Sequence, residues 1–267
     1  MALSMDFLRR SGATAIFCGL ALALAGGPAF ALETYKTEYG VSIFGLNIAR
    51  SGFETKVNGG SYDLSGTLSS SGLARIFDQT DGTIRVSGSA SSTGVWPASY
   101  EVKYKNGKKN KRTLIDFSGG SVSAVQNTPP IKKRKPWVEA GPNDLKSVAD
   151  PLSGLMIQAG DPKSVCGRTV HIFDGQTRAD LQLSFAGIKP FATKGFKGNA
   201  VTCSVKFLPI SGYQKGKKAI EYLKNKSKVS ISFASLGNSG IYAPVAASIG
   251  TQIGTVSVFA TRFEKIN

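Results

Sequence analysis

The chain holds one histidine, His171, in the stretch RTVHIFDG. A catalytic reading makes it a general base, oriented by Asp150 or Asp174, with Ser153 as the nucleophile it activates. The same residues also have a structural reading. Asp150 and Pro151 stand just ahead of Leu152, Leu155 and Met156, an apolar stripe at i, i+3 and i+4. That pattern predicts a helix capped by the Asp150 carboxylate, begun by proline and ended at Gly160. No Gly-x-Ser-x-Gly elbow and no His-Glu-x-x-His occurs, and GYQKGKK has the wrong spacing for a phosphate-binding loop. The residues point to no enzyme and no cofactor, with a hydrolase built on Asp150, Ser153 and His171 as the rival reading.

The second group with chemistry to offer is cationic. IKKRKPW places Lys132, Lys133, Arg134 and Lys135 in a row ahead of Trp137, and KYKNGKKNKR reads as a hairpin whose tip carries Lys108, Lys109, Lys111 and Arg112. Beside an aromatic residue, such runs suit nucleic-acid phosphates. The N-terminal residues argue against that partner. Arg9 and Arg10 precede an apolar run from Ala13 to Ala25, and Ala29-Phe30-Ala31 has the small-x-small form of a signal-peptidase site. A secretory signal over 1–31 is expected, cleaved after Ala31, with a single mature domain over 32–267. Phe17 is too bulky to precede a lipidated Cys18. An exported chain meets no cellular nucleic acid, and the expected compartment is the periplasm. The anions available there are lipopolysaccharide phosphates, acidic lipid headgroups and acidic proteins, so a peripheral membrane contact is expected.

Charge is unevenly spread. From Leu32 to Tyr100 five basic residues face six acidic ones; from Glu101 to Pro136 ten face two; from Lys206 to Lys228 seven lysines face Glu221 alone. A merely soluble surface mixes its signs. The two cysteines of the mature chain, Cys166 and Cys203, are expected to form a disulfide in an oxidising compartment. With a single histidine they cannot complete a zinc site without distant carboxylates, so no metal is expected.

The elements that must position these residues read mostly as strands. The stretch 34–57 suits a strand pair or a bulged strand about Gly45, and further runs over 62–67, 83–91, 98–104, 112–117, 121–125, 169–173, 179–185, 200–207, 229–233 and 254–263 are separated by pairs such as Asn58-Gly59, Asp81-Gly82, Asn106-Gly107, Gly119-Gly120 and Asp174-Gly175. Such pairs tolerate the positive φ of tight turns. The expected fold is mostly β: a single strongly curved antiparallel sheet or open barrel, with one or two short helices, at 152–160 and Ser71–Phe77. QNTPPIKKRKPWVEAGPND, with four prolines, reads as a basic mobile loop near 126–144.

With these pieces placed, YKTEYGVSIFGLNIARSGFE, GVWPASYEVKY, DPLSGLM and GNAVTCSVKFLPISGY together resemble the proteobacterial exported family catalogued as domain of unknown function 3108. The resemblance covers nearly the whole mature length. It implies an exported, β-rich envelope protein and supplies no catalytic residues. The leading expectation is a non-enzymatic protein that binds an anionic envelope component or supports envelope integrity. An integral outer-membrane barrel is the other rival, disfavoured because lysine near the bilayer midplane costs about 2–4 kcal/mol and the chain ends in EKIN rather than an aromatic residue.

Overall fold

Alternation at a period of two puts successive side chains on opposite faces of a strand, and here that alternation is kept across many strands. The computed structural model describes residues 32–72 and 74–267. The expected signal and its cleavage site lie outside the described residues. The first half is a meander of β1 (Glu33–Ile43), β2 (Leu46–Asn58), β3 (Ser61–Ser70), β4 (Thr80–Ser91), β5 (Gly94–Asn106), β6 (Lys109–Ser118) and β7 (Ser121–Thr128), with the one-turn helix α1 (Ala74–Phe77) between β3 and β4. After β8 (Trp137–Val138) and β9 (Ile157–Gln158) come β10 (Arg168–Phe173), β11 (Arg178–Thr193), β12 (Phe196–Ser211), β13 (Tyr213–Gln214), helix α2 (Lys218–Asn225), β14 (Val229–Ser235), β15 (Ile241–Thr251) and β16 (Gly254–Lys265).

One antiparallel sheet runs β10-β11-β12-β14-β15-β16-β1-β2-β3-β4-β5-β6-β7, with β9 added to β15 and a separate β8–β13 pair. Reading across the register, Tyr35, Thr55, Leu64, Val86, Tyr100 and Ile115 form one cross-strand row, all buried. The neighbouring row is Lys36, Glu54, Ser65, Arg85 and Glu101, facing water. A single core joins residues from far-apart strands, Ile115 of β6 and Phe173 of β10 with Ala243 of β15 and Phe263 of β16. The sheet therefore wraps around its apolar face, helped by bulges in β2, β5, β7, β11, β12, β15 and β16. This is the curved antiparallel sheet that the strand pattern predicts.

The edges of the sheet, β7 and β10, do not pair with one another. Residues 144–149 lie between them as a strap. On one side Val122 N donates to Leu145 O (3.0 Å) and Val148 N to Gly120 O (3.0 Å); on the other Ala149 N donates to His171 O and Phe173 N to Ala149 O (both 2.9 Å). Asn127 Nδ2 also reaches Gly175 O at 2.9 Å. The strap leads directly into the turn at Asp150, which enters the lumen.

Four local expectations change. The helix expected after Asp150 is only a 3₁₀ turn, Ser153–Leu155, because Ile157 and Gln158 are drawn into pairing with Tyr242 and Ile241. The expected loop is shorter: residues 126–128 extend β7, and Trp137–Val138 form β8. Asp81-Gly82 makes no turn, because both residues pair within β4, opposite Lys105 and Tyr104. α2 and β15 were not anticipated.

Cys166 and Cys203 are joined, tying the residue just ahead of β10 to the middle of β12. Their surroundings, Val165, Val170, Leu183, Val201, Ile231 and Phe233, form a second apolar cluster. Closing a loop between residues 37 apart stabilises by about 3–4 kcal/mol through the unfolded chain. A Cys166→Ala/Cys203→Ala variant is expected to lose about that much in urea unfolding, and loss of less than 1 kcal/mol would contradict the assignment.

Candidate functional site

Because neighbouring strands alternate in direction, the connections fall at two ends of the sheet. The end reached by β1 at Ile43, here the distal end, carries connections 44–45, 71–79, 107–108, 129–136, 174–177, 212–228 and 252–253. The proximal end carries 59–60, 92–93, 119–120, 194–195 and 236–240. Both cationic runs singled out in the sequence are distal, in adjacent connections. Lys108 and Lys109 flank the β5–β6 turn, and Lys132 to Lys135 follow β7; all are exposed.

The 129–136 loop is tied down rather than free. Lys215 N donates to Pro136 O (2.8 Å), Gly212 N to Val138 O (2.8 Å), and Gln214 Nε2 to Lys135 O (3.2 Å). With Trp137 opposite Gln214 and Val138 opposite Tyr213, the β8–β13 pair fastens this loop to the lysine-rich segment that continues into α2. That segment presents Lys215, Lys217, Lys218, Lys224, Lys226 and Lys228, all exposed. Their convergence with the other two basic runs is invisible in the sequence, where the nearest of them is 80 residues from Lys135.

Some of the expected cations are engaged. Arg112 is half-buried and pairs with Glu101 at 2.6 Å, Lys133 pairs with Glu139 at 2.7 Å, and Lys111 lies 5.5 Å over the Tyr104 ring. Trp137 is half-buried in β8, so little of its ring is offered to a ligand. Among the described residues, Lys108, Lys109, Lys132, Arg134 and Lys135 have no carboxylate partner.

The hydrolase residues are placed differently from the catalytic reading. Asp150 is fully buried; its Oδ1 accepts from Leu152 N (2.9 Å) and Ser153 N (3.0 Å), and its Oδ2 accepts from Ser153 Oγ. Tyr62 OH meets the same Ser153 Oγ at 2.6 Å. The carboxylate is a cap, as the Asp-Pro pattern suggests, and the serine belongs to its network. His171 Nδ1 is held at 2.5 Å by Asp180, not by Asp150 or Asp174. At that distance Nδ1 must carry its proton to donate to the carboxylate, so its 3.1 Å approach to Arg178 is proximity and no second bond. Asp174 instead caps its own turn, accepting from Gln176 N and Thr177 N. Burial raises the Asp180 pKa, but hydrogen bonds from His171 and Arg178 outweigh it and hold the carboxyl below its usual range.

The lumen holds a void of about 260 Å³ between β1, β2, β14–β16 and the Asp150 turn. Tyr39, Phe53, Leu152, Leu155, Met156 and Val258 line it. Nothing in the sequence announced it. At the proximal end a wider cleft of about 1000 Å³ lies between Tyr62, Trp96, Phe117 and the Ser153–Gln158 turn, with His171 on its margin.

The family model for DUF3108, proteins of unknown function, matches residues 34–261. The chain belongs to the DUF3108 family. It is also similar to a crystal structure of a beta-barrel-like protein of domain of unknown function DUF1849 from Brucella abortus, 8% identical. That match has a TM-score of 0.48 and covers 88% of the DUF3108 chain and 98% of the other. No curated protein matches.

In this DUF3108 chain the buried Asp150 generates a pH prediction. Burial raises its pKa, with the Ser153 and Leu152 hydrogen bonds opposing. As pH climbs past the unfolded carboxyl value, the unfolded chain ionises first, so the folded state loses stability until the raised pKa is passed. Asp150→Asn keeps an acceptor for the two amides and removes that ionisation. Relative to the parent, it is expected to gain stability between pH 4 and pH 8 in urea unfolding, whereas Asp150→Ala loses about 2–3 kcal/mol by orphaning the amides. A parent–Asn difference independent of pH would show that Asp150 is not a desolvated acid.

Proposed function

We propose that this chain is a non-enzymatic exported protein of the bacterial envelope, which holds an anionic component, lipopolysaccharide phosphate or acidic lipid headgroup, against its distal end. The observation that carries the reading is the placing of three basic segments, at 108–109, 132–135 and 215–228, at one end of the sheet, the last two fastened together by the β8–β13 pair. Cations gathered in one place repel one another, and a polyanion offsets that repulsion. Each lysine near an anionic surface contributes about 1 kcal/mol, so the cluster suffices for binding without a deep pocket.

The rivals are less well supported. Ser153 Oγ is hydrogen-bonded to Asp150 and Tyr62, and His171 is turned to Asp180. Neither has the nucleophile–base contact that hydrolysis requires. An integral barrel would present an apolar exterior, whereas the outward row here is Lys36, Glu54, Ser65, Arg85 and Glu101 in mid-strand.

Replacing Lys132, Lys133, Arg134 and Lys135 by Ser is expected to weaken binding to lipopolysaccharide at least about tenfold at low salt, with urea unfolding unchanged. Parent binding should fall steeply as salt rises. Equal binding by parent and variant, or binding indifferent to salt, would remove the proposal. The compartment has its own check: protein recovered from a periplasmic fraction should begin at Leu32 by mass spectrometry, and an intact Met1 would contradict export with cleavage.

A further inference from the structure

We propose that the distal end does more than meet charge: three neighbouring connections on it insert into the acyl layer of an anionic phospholipid bilayer. This rests on the electrostatic reading above and adds an apolar contact to it. Among the described residues, the large apolar side chains more than half exposed are Phe44 (77%), Leu46 (58%), Ile76 (68%), Phe77 (90%) and Ile253 (73%). They come from the β1–β2 turn, from α1 and from the β15–β16 turn. Every one is distal. Of the proximal connections, 59–60, 92–93 and 119–120 hold only Gly, Ser and Thr, 194–195 adds Lys194, and the one apolar residue of 236–240, Leu236, is buried.

The order of strands sets the order of these connections along the rim. Passing from β12 to β7, the distal connections are the lysine-rich α2 segment, Ile253, Phe44 with Leu46, Ile76 with Phe77, the Lys108–Lys109 turn and the 132–135 loop. The β8–β13 pair then joins the last of these back to the first. The apolar positions thus form an unbroken arc with cations on both flanks. An acidic bilayer offers the matching layers, anionic headgroups outside and hydrocarbon beneath. A soluble polyanion matches only the cations.

The β1–β2 turn supports the same reading through its backbone. Phe44 has φ of +51° and Gly45 +77°, the left-handed pair of a two-residue hairpin turn. Such a turn is ordinarily made by Asn-Gly, because a bulky residue at positive φ is strained. Here the strained position holds a phenyl ring, which rests over Gly254 where a Cβ would overlap it. The two hairpin tips are therefore one packed unit. For the turn backbone alone, asparagine would serve better.

This supplies a test in which misfolding does not confuse the result. Phe44→Asn should leave stability to urea equal to or above that of the parent. Combined with Phe77→Ser and Ile253→Ser in the mature chain, it should weaken co-sedimentation with phosphatidylglycerol vesicles by about tenfold or more, and most visibly at high salt, where the cations are screened. The Lys132–Lys135 variant should lose chiefly the binding seen at low salt. If the apolar variant sediments like the parent while the charge variant does not, the electrostatic reading stands and insertion is overturned. The same holds if the parent binds lipopolysaccharide but ignores phosphatidylglycerol vesicles. If the parent is a dimer that the apolar substitutions dissociate, the arc is covered by a second copy of this chain and the bilayer proposal falls. If neither variant changes binding, both readings fail together.

Discussion

A curved sheet whose two edges fail to pair must still satisfy the backbone groups along those edges. Here the 144–149 strap supplies that closure, hydrogen-bonded to Gly120 and Val122 on one side and to His171 and Phe173 on the other. Arg178 holds the start of the strap through Asp144 O at 2.8 Å, and Asp150 fixes its end. Much else follows from this arrangement. The turn that fills the lumen is the continuation of the strap, so Ser153, Leu155 and Met156 sit where they do because the seam is sealed by a loop. A closed ladder would have left that chain segment outside.

The second organising feature is the constancy of in-and-out alternation. One residue separates the buried row of Tyr35, Thr55, Leu64, Val86, Tyr100 and Ile115 from the charged row of Lys36, Glu54, Arg85 and Glu101. A slip of one residue in any strand would exchange the two faces, placing a carboxylate or ammonium in the core. The register of these strands is therefore strongly specified.

How much of this was legible in the sequence depended on the range of the signal. Strands bounded by Asn58-Gly59, Asn106-Gly107, Gly119-Gly120 and Asp174-Gly175 declared themselves, because turn chemistry is local; Asp81-Gly82 misled, since both residues pair within β4. β15 did not declare itself, since Pro244 and a run of small residues hide its alternation of buried Ile241, Ala243 and Val245. α2 was concealed by its lysines, with only Ile220, Tyr222 and Leu223 as a narrow, partly buried side. The Asp150 cap was read correctly, but not the brevity of its turn, which a distant strand decides by pairing with Ile157 and Gln158. The cations were plain as runs; that they gather at one end could be known only from strand order. The disulfide was inferred from compartment and count, and the structure joins those two cysteines.

Strand order has one more implication, for how the chain comes into being. β1 to β7 can pair in sequence as they emerge, each with the strand just made. β1, however, takes β16 on its other side, so that Glu33 and Lys265, 232 residues apart, end 2.5 Å from each other. Loop closure itself grows only slowly with length, by about 0.6 kcal/mol per doubling, so the delay is one of time rather than equilibrium. Throughout synthesis the first strand carries an open row of amides and carbonyls that nothing in the chain can cover until its last dozen residues arrive. The nascent polypeptide is therefore sticky at its beginning for as long as it is unfinished, and must be kept from its neighbours during that interval.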